Sequence, residues 1–151
     1  MATTVMKQPT FHRFFREGAG LDVDKDDLKR YSDFVFQKTY DLLLIGQAAA
    51  RANDRGMMEE WDLPIPKGLQ ECIHAFRGMD TAIELQPVLD DLAARPQLDV
   101  EYSDELRARL PLVAGGISVA LARALRILDP AADRPHAADW DRAFRLFDLL
   151  F

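Results

Sequence analysis

The chain is short of cysteine: Cys72 is the single one in 151 residues. An internal disulfide is therefore excluded, and one thiol fits a reducing compartment, so a cytoplasmic location is expected. It also lacks an excess of positive charge, with 19 Lys and Arg against 25 Asp and Glu and a formal net charge of −6. Generic attraction to nucleic-acid phosphates needs clustered cations, so a purely electrostatic nucleic-acid binder is disfavoured. No apolar run approaches the roughly 20 residues of a membrane helix, and residues 1–10 carry no apolar stretch of a secretory signal. No alternating β-branched run or Asn-Gly turn announces a sheet.

Catalytic and metal motifs are missing as well. His12, His74 and His136 stand far apart, and Cys72 has no second cysteine. No phosphate loop follows a strand, and no Ser lies in Gly-x-Ser-x-Gly. Gly18-Ala19-Gly20 reads as a helix stop. Asp22, Asp24, Asp26 and Asp27 lack the Gly and Glu of a calcium loop and read as solvated caps. The expectation is no enzyme, no cofactor, no metal, no membrane and no evident small-molecule substrate.

What is present is helical periodicity in a chain that is 48% hydrophobic. A loose tail over 1–10 is expected, then a short helix from Phe11 to Glu17, capped by Thr10, with Phe11, Phe14 and Phe15 on one face. A long helix opens at Asp24 or Asp26 and runs to about Asn53, with Leu28, Tyr31, Val35, Leu42, Ile45 and Ala49 as its stripe. Asp62 is expected to cap a third helix, with Pro64 and Pro66 in its first turn, Leu69, Cys72, Ile73 and Phe76 buried, and Gly78 as its stop.

The same order then starts again. A short helix spans about Leu85 to Ala94. Ser103 caps a second long helix through Leu106, Leu110, Val113, Ile117, Leu121, Ala124 and Leu128, which Asp129-Pro130 ends. A final helix carries Trp140, Ala143, Phe144, Phe147 and Leu150. Leu21-Asp22-Val23 recurs as Leu98-Asp99-Val100, and Trp61-Asp62 as Trp140-Asp141, with both tryptophans expected as core anchors. In each half an Arg precedes an Asp by seven residues: Arg55 with Asp62, and Arg134 with Asp141. This is an internal duplication.

Short helix, loop, long helix, loop, short helix resembles the histone fold, once per half. The arrangement, and the stretch Trp61-Asp62-Leu63-Pro64-Ile65-Pro66-Lys67-Gly68-Leu69-Gln70-Glu71, is similar to a bacterial and archaeal family of single-chain pseudodimers of unknown function. The resemblance implies an all-α fold of two tandem histone folds, residues 11–77 and 78–151, sharing one core. It also implies that Arg55 pins Asp62 and Arg134 pins Asp141 between loop and last helix. The two central helices should cross, with Gly115-Gly116 marking a close approach. Pro111 departs from the pattern and should either kink the second long helix or delay its start.

Histone folds hold DNA through their first helices and paired loops. Carried over, the candidate contacts are Lys7, Arg13, Arg16, Lys25, Lys29, Arg55, Arg107, Arg109 and Arg134. The charge opposes them: the first half is net −1, the second −5, and all five Lys lie in the first half. The leading expectation is therefore a non-catalytic interaction module acting through protein contacts or self-association, with the apolar end Phe144, Phe147, Leu149, Leu150 and Phe151 either buried or offered to a partner. The alternative is a nucleoid-associated protein that grips DNA by a basic edge of the first half.

Overall fold

The computed structural model describes residues 3–151. Six α-helices and two two-residue strands follow in the order α1 (Gln8–Ala19), α2 (Lys25–Ala52), β1 (Met57–Met58), a 3-10 turn (Glu60–Asp62), α3 (Lys67–Arg77), α4 (Leu85–Ala94), β2 (Glu101–Tyr102), α5 (Asp104–Leu128) and α6 (Ala137–Leu150). The fold is mostly helical.

α1 begins at Gln8, with Pro in its first turn where a missing N–H costs nothing, and stops at Gly20, whose φ of 65° suits glycine. The stretch before it is tied down rather than loose: Val5 and Met6 are buried, and the Val5 N–H donates to Ser32 Oγ at 3.1 Å. α2 opens with a reciprocal cap, in which Asp24 accepts the Asp27 N–H at 2.9 Å and Asp27 accepts the Asp24 N–H at 3.0 Å. Its expected stripe holds through Leu42, but Ile45 is exposed.

α5 starts at Asp104 under a Ser103 cap, so Pro111 lies inside the helix and does not delay it. α5 is the one helix among the described residues long and apolar enough to cross a membrane by length and composition, and 61% of that stretch is buried within the fold. No such run was expected, because Arg107, Arg109 and Pro111 interrupt it early. From Leu110 to Leu125, however, Arg123 is the single charge.

The central helices α2 and α5 meet through polar groups as well as apolar ones. Tyr31 Oη and Ser118 Oγ lie 2.7 Å apart, and Ser118 Oγ also donates to the Ala114 carbonyl. Burial pushes the Tyr31 hydroxyl pKa far up, so it stays a neutral donor or acceptor. The helices repeat at an offset of 79 residues. The caps Asp24 and Ser103 correspond, as do Tyr31 and Leu110, Val35 and Ala114, Thr39 and Ser118, and Leu42 and Leu121. All of these pairs except the cap Asp24 are buried at both members.

The loops connect crosswise. β1 after the first long helix runs parallel to β2 before the second, with Met57 opposite Glu101 and Met58 opposite Tyr102. At the other end, the Asp22 N–H before the first long helix donates to the Asp133 carbonyl after the second, at 2.8 Å.

Gly115-Gly116 does mark a close approach, but α3 makes it rather than α2. A Cβ on Gly115 would lie 2.3 Å from the Phe76 ring, and one on Gly116 would lie 2.4 Å from Ile73. α3 buries Leu69, Cys72, Ile73 and Phe76 as expected. Asp62 does not cap it. The 3-10 turn closes at Asp62, and Leu63 and Pro66 are extended, as a residue preceding proline and a proline before a helix tend to be.

Candidate functional site

Arg55 and Asp62 form the expected pin. Nη1 donates to Oδ2 at 2.8 Å and Nη2 to Oδ1 at 2.6 Å, while Oδ2 also accepts the Glu59 N–H. The guanidinium bonds hold the Asp62 carboxyl below the usual carboxylate range and push Arg55 up.

The second half departs from this. Arg134 and Asp141 form no ion pair among the described residues. Asp141 is exposed and reaches only Arg145, at 3.8 Å. The backbone bond of Asp62 is matched by Asp139, whose Oδ2 accepts the His136 N–H at 3.0 Å, with no arginine paired to it among the described residues. The cap equivalence is thus 62 with 139, not 62 with 141. Trp140 then follows the cap directly and is 1% exposed, whereas Trp61 precedes its cap and is 72% exposed. The expected pair of core anchors is one anchor and one surface indole.

The DNA candidates are scattered and partly committed. Arg16 reaches Asp22 at 3.2 Å, Arg13 donates to the Asp80 carbonyl at 3.4 Å, and Arg109 lies 3.5 Å from Glu60. Lys7, Lys25, Lys29, Arg107 and Arg134 join no ion pair among the described residues. Asp24 is held below its usual range mainly by the Asp27 N–H, with Arg134 close enough to contribute. Carboxylates accompany the cations where the loops meet: Asp22, Asp24 and Asp133 at one end, Asp99 (bonded to Arg51) and Glu101 at the other.

Three features went unnoticed in the sequence. Asp129, His136 and Asp139 bring potential metal-ligand atoms within 4.8 Å of one another, though Asp139 is already committed to the α6 cap. Lys38 is 3% exposed and reaches Asp148, Asp41 at 3.3 Å and the Phe151 main-chain oxygen at 2.8 Å. A cleft of about 620 Å³ opens between the 3-10 turn, α3 and α5, beside Trp61, Arg77 and Arg109. Trp61 is exposed although its Trp-Asp dipeptide recurs at the buried Trp140. Lys38 and the cleft join elements distant in sequence, and Asp129, His136 and Asp139 match no familiar ligand spacing.

The apolar chain end divides. Phe147 is buried, and Phe144 stacks on Phe34 with centroids 4.3 Å apart. Leu146, Leu149 and Leu150 are exposed, as is Ile127 at the end of α5. Leu128, Arg142, Arg145, Leu146 and Leu149 line a shallow, mainly apolar groove of about 370 Å³.

The chain is similar to a crystal structure of a protein from Thermus thermophilus, with 53% identity and a TM-score of 0.93 over 97% of this chain and 99% of that one. It also shares its fold with a protein from Aquifex aeolicus, with a TM-score of 0.81 at 18% identity over 100% and 98% of the two chains. No curated protein matches. A family model described as "Domain of unknown function (DUF1931)" matches residues 11–148, and the chain belongs to that family.

Proposed function

We propose that the chain is a tandem histone-fold pseudodimer that acts without catalysis, as an interaction module whose α6 edge pairs with a second copy of itself. Two short–long–short helical units with crosswise loop pairing support the histone-fold part of this reading. The exposed row Leu146, Leu149 and Leu150, with Leu128 on the same groove, carries the interaction part. Apolar side chains left contiguous at a surface mark a contact site.

The charges on α6 favour a second copy as the occupant. Two antiparallel α6 helices related by a two-fold axis near Arg145 set Arg142 of one copy opposite Asp148 of the other, with Leu146 and Leu149 in the seam. Such a contact is self-complementary and closes on itself. Sedimentation velocity across a concentration series tests this: the mass should move toward twice that of one chain. Leu146→Asp with Leu149→Asp should hold it at one chain without lowering the melting temperature. A strict monomer at high concentration overturns the reading.

A DNA reading rests on Lys7, Lys25 and Lys29, which join no ion pair among the described residues. Fluorescence anisotropy of a labelled duplex at low and near-physiological salt decides it. Binding that weakens steeply with salt and disappears when Lys7, Lys25 and Lys29 are replaced together by Gln supports a DNA-handling protein. No binding at low salt eliminates it.

A further inference from the structure

The cleft beside Trp61 is built by a segment that the second half does without. The cap carboxylates Asp62 and Asp139 correspond, each accepting the N–H of the residue three before it. In the second half the first buried apolar residue of the last helix, Trp140, comes one residue after its cap. In the first half Leu69 comes seven residues after. The additional residues form the stretch around Leu63-Pro64-Ile65-Pro66, which Gln70 fastens to α3 by donating from Nε2 to the Ile65 carbonyl at 3.2 Å. Leu63 of this stretch is buried in the core while the rest of it has no counterpart in the second half, where the position matching Trp61 is Ala138.

The product is a cleft of about 620 Å³, within the usual range for small-molecule sites. Leu63, Ile65 and Ile73 give it an apolar lining, and Trp61, a residue 72% exposed, stands at its side. Arg77 from α3 and Arg109 from α5 bring two guanidinium groups, with His74 one turn before Arg77 on α3. Arg77 makes no ion pair or side-chain hydrogen bond among the described residues. The one ion pair of Arg109 is the 3.5 Å approach of Glu60, long enough for a stronger anion to displace.

We propose that this cleft binds a nucleotide, with the base stacked on Trp61 and the phosphate held between Arg77 and Arg109. An indole face takes any planar base, and paired guanidinium forks match phosphate geometry. Glu60, on the same cleft, competes with the phosphate for Arg109, so binding must draw Arg109 from it. The same chemistry is offered by a free mononucleotide and by the 5′ end of a single strand. The inference does not depend on α6 pairing or on duplex binding along α1.

Calorimetric titration with adenosine 5′-monophosphate, and in parallel with 5′-phosphorylated tetradeoxyadenylate, tests it. At least one probe should bind with a dissociation constant of about 1 mM or below. Saturable quenching should accompany it, arising from Trp61 because Trp140 is buried. Trp61→Ala, and separately Arg77→Gln with Arg109→Gln, should each weaken binding at least tenfold, and adenosine should bind correspondingly less well. The emission of Trp140 reports that the variants remain folded. Binding of the mononucleotide assigns the free ligand, and binding of the oligonucleotide alone assigns the strand end. Absence of saturable binding by either probe to about 10 mM, or affinity unchanged in the folded variants, overturns the proposal.

Discussion

The indole Nε1–H of Trp140 donates to Oδ1 of Asp27 across 2.9 Å, joining the first turns of α6 and α2 over 113 residues of sequence. Both residues are buried. Asp27 therefore carries two tasks, as reciprocal cap partner of Asp24 and as acceptor for the far half of the chain. Burial raises the pKa of its carboxyl, against the backbone bond from Asp24 and the indole bond. Together those bonds keep a shielded carboxylate partnered.

Trp140→Phe keeps most of the apolar volume and deletes the donor. The expected cost at neutral pH is about 1–3 kcal/mol, the usual penalty for a buried acceptor that loses its partner. The sign with pH follows from linkage. The folded-state pKa of Asp27 lies above its unfolded value, so the folded form takes up a proton first and this group's contribution falls as pH rises through that window. The indole bond favours the charged form, so the deficit of Trp140→Phe should shrink toward low pH. Denaturant midpoints at pH 7 and below pH 4 check this; an equal deficit at both refutes the assignment of the bond to the carboxylate.

Asp62 behaves oppositely. Its pKa is depressed by the Arg55 bonds, so the stability it contributes is present above the ordinary aspartate value of about 3.9 and is lost as pH falls through the folded value. Asp62→Ala should cost about 1–3 kcal/mol at pH 7, and Arg55→Ala should destabilise in the same direction. Asp141→Ala should stay within about 0.5 kcal/mol, since that carboxylate is exposed and 3.8 Å from its arginine. Thermal melts of the three variants separate the two carboxylates directly.

Gly115→Ala and Gly116→Ala test the seating of α3 on α5. Alanine is the better helix former by about 1 kcal/mol. Here the added methyl meets Phe76 or Ile73 at less than 2.5 Å, and at Gly116 the Ile73 backbone nitrogen lies 3.1 Å away, so the neighbour cannot simply swing aside. A net loss of about 1–3 kcal/mol is expected from each. Gly68→Ala, with no atom within 4 Å of the new methyl, should be neutral or stabilising in the same unfolding series.

Helix order was legible in the sequence because periodicity and caps are local. Asp24 and Ser103 cap their helices, Gly78 follows the last residue of α3, and α4 spans Leu85–Ala94 as the pattern indicates. The second pin was not legible, because Arg134 and Asp141 copy the spacing of Arg55 and Asp62 without their backbone. Asp139 sits in the first turn of α6, which starts at Ala137, whereas α3 starts only after a loop that follows Asp62, so equal sequence spacing gives unequal geometry. The same shift turned Trp61 outward while Trp140 went to the core. Ion pairs and clefts between distant elements leave no periodic trace, which is why Lys38 and the Arg77–Arg109 cleft emerged only from the folded chain.

Lys38 links the core to the proposed contact edge. Its ammonium is buried beside Asp41, Asp148 and the Phe151 oxygen, and lies 5.8 Å from the Phe34 ring centroid. The equivalent position in the second half is Ile117, also buried, so the fold accepts an apolar side chain at this register. Asp148 is well exposed and stays hydrated when its partner goes, so no stranded buried charge results. Lys38→Met should therefore change global stability by less than about 1.5 kcal/mol, as volume-conserving exchanges do. What it removes is the tether holding the last turn of α6. Amide exchange from Leu146 to Leu150 should accelerate while α2 stays protected, and the concentration dependence of the mass should weaken in step. Faster exchange with undiminished self-association would mean that the α6 edge is not the contact, because a frayed last turn presents no fixed row of leucines.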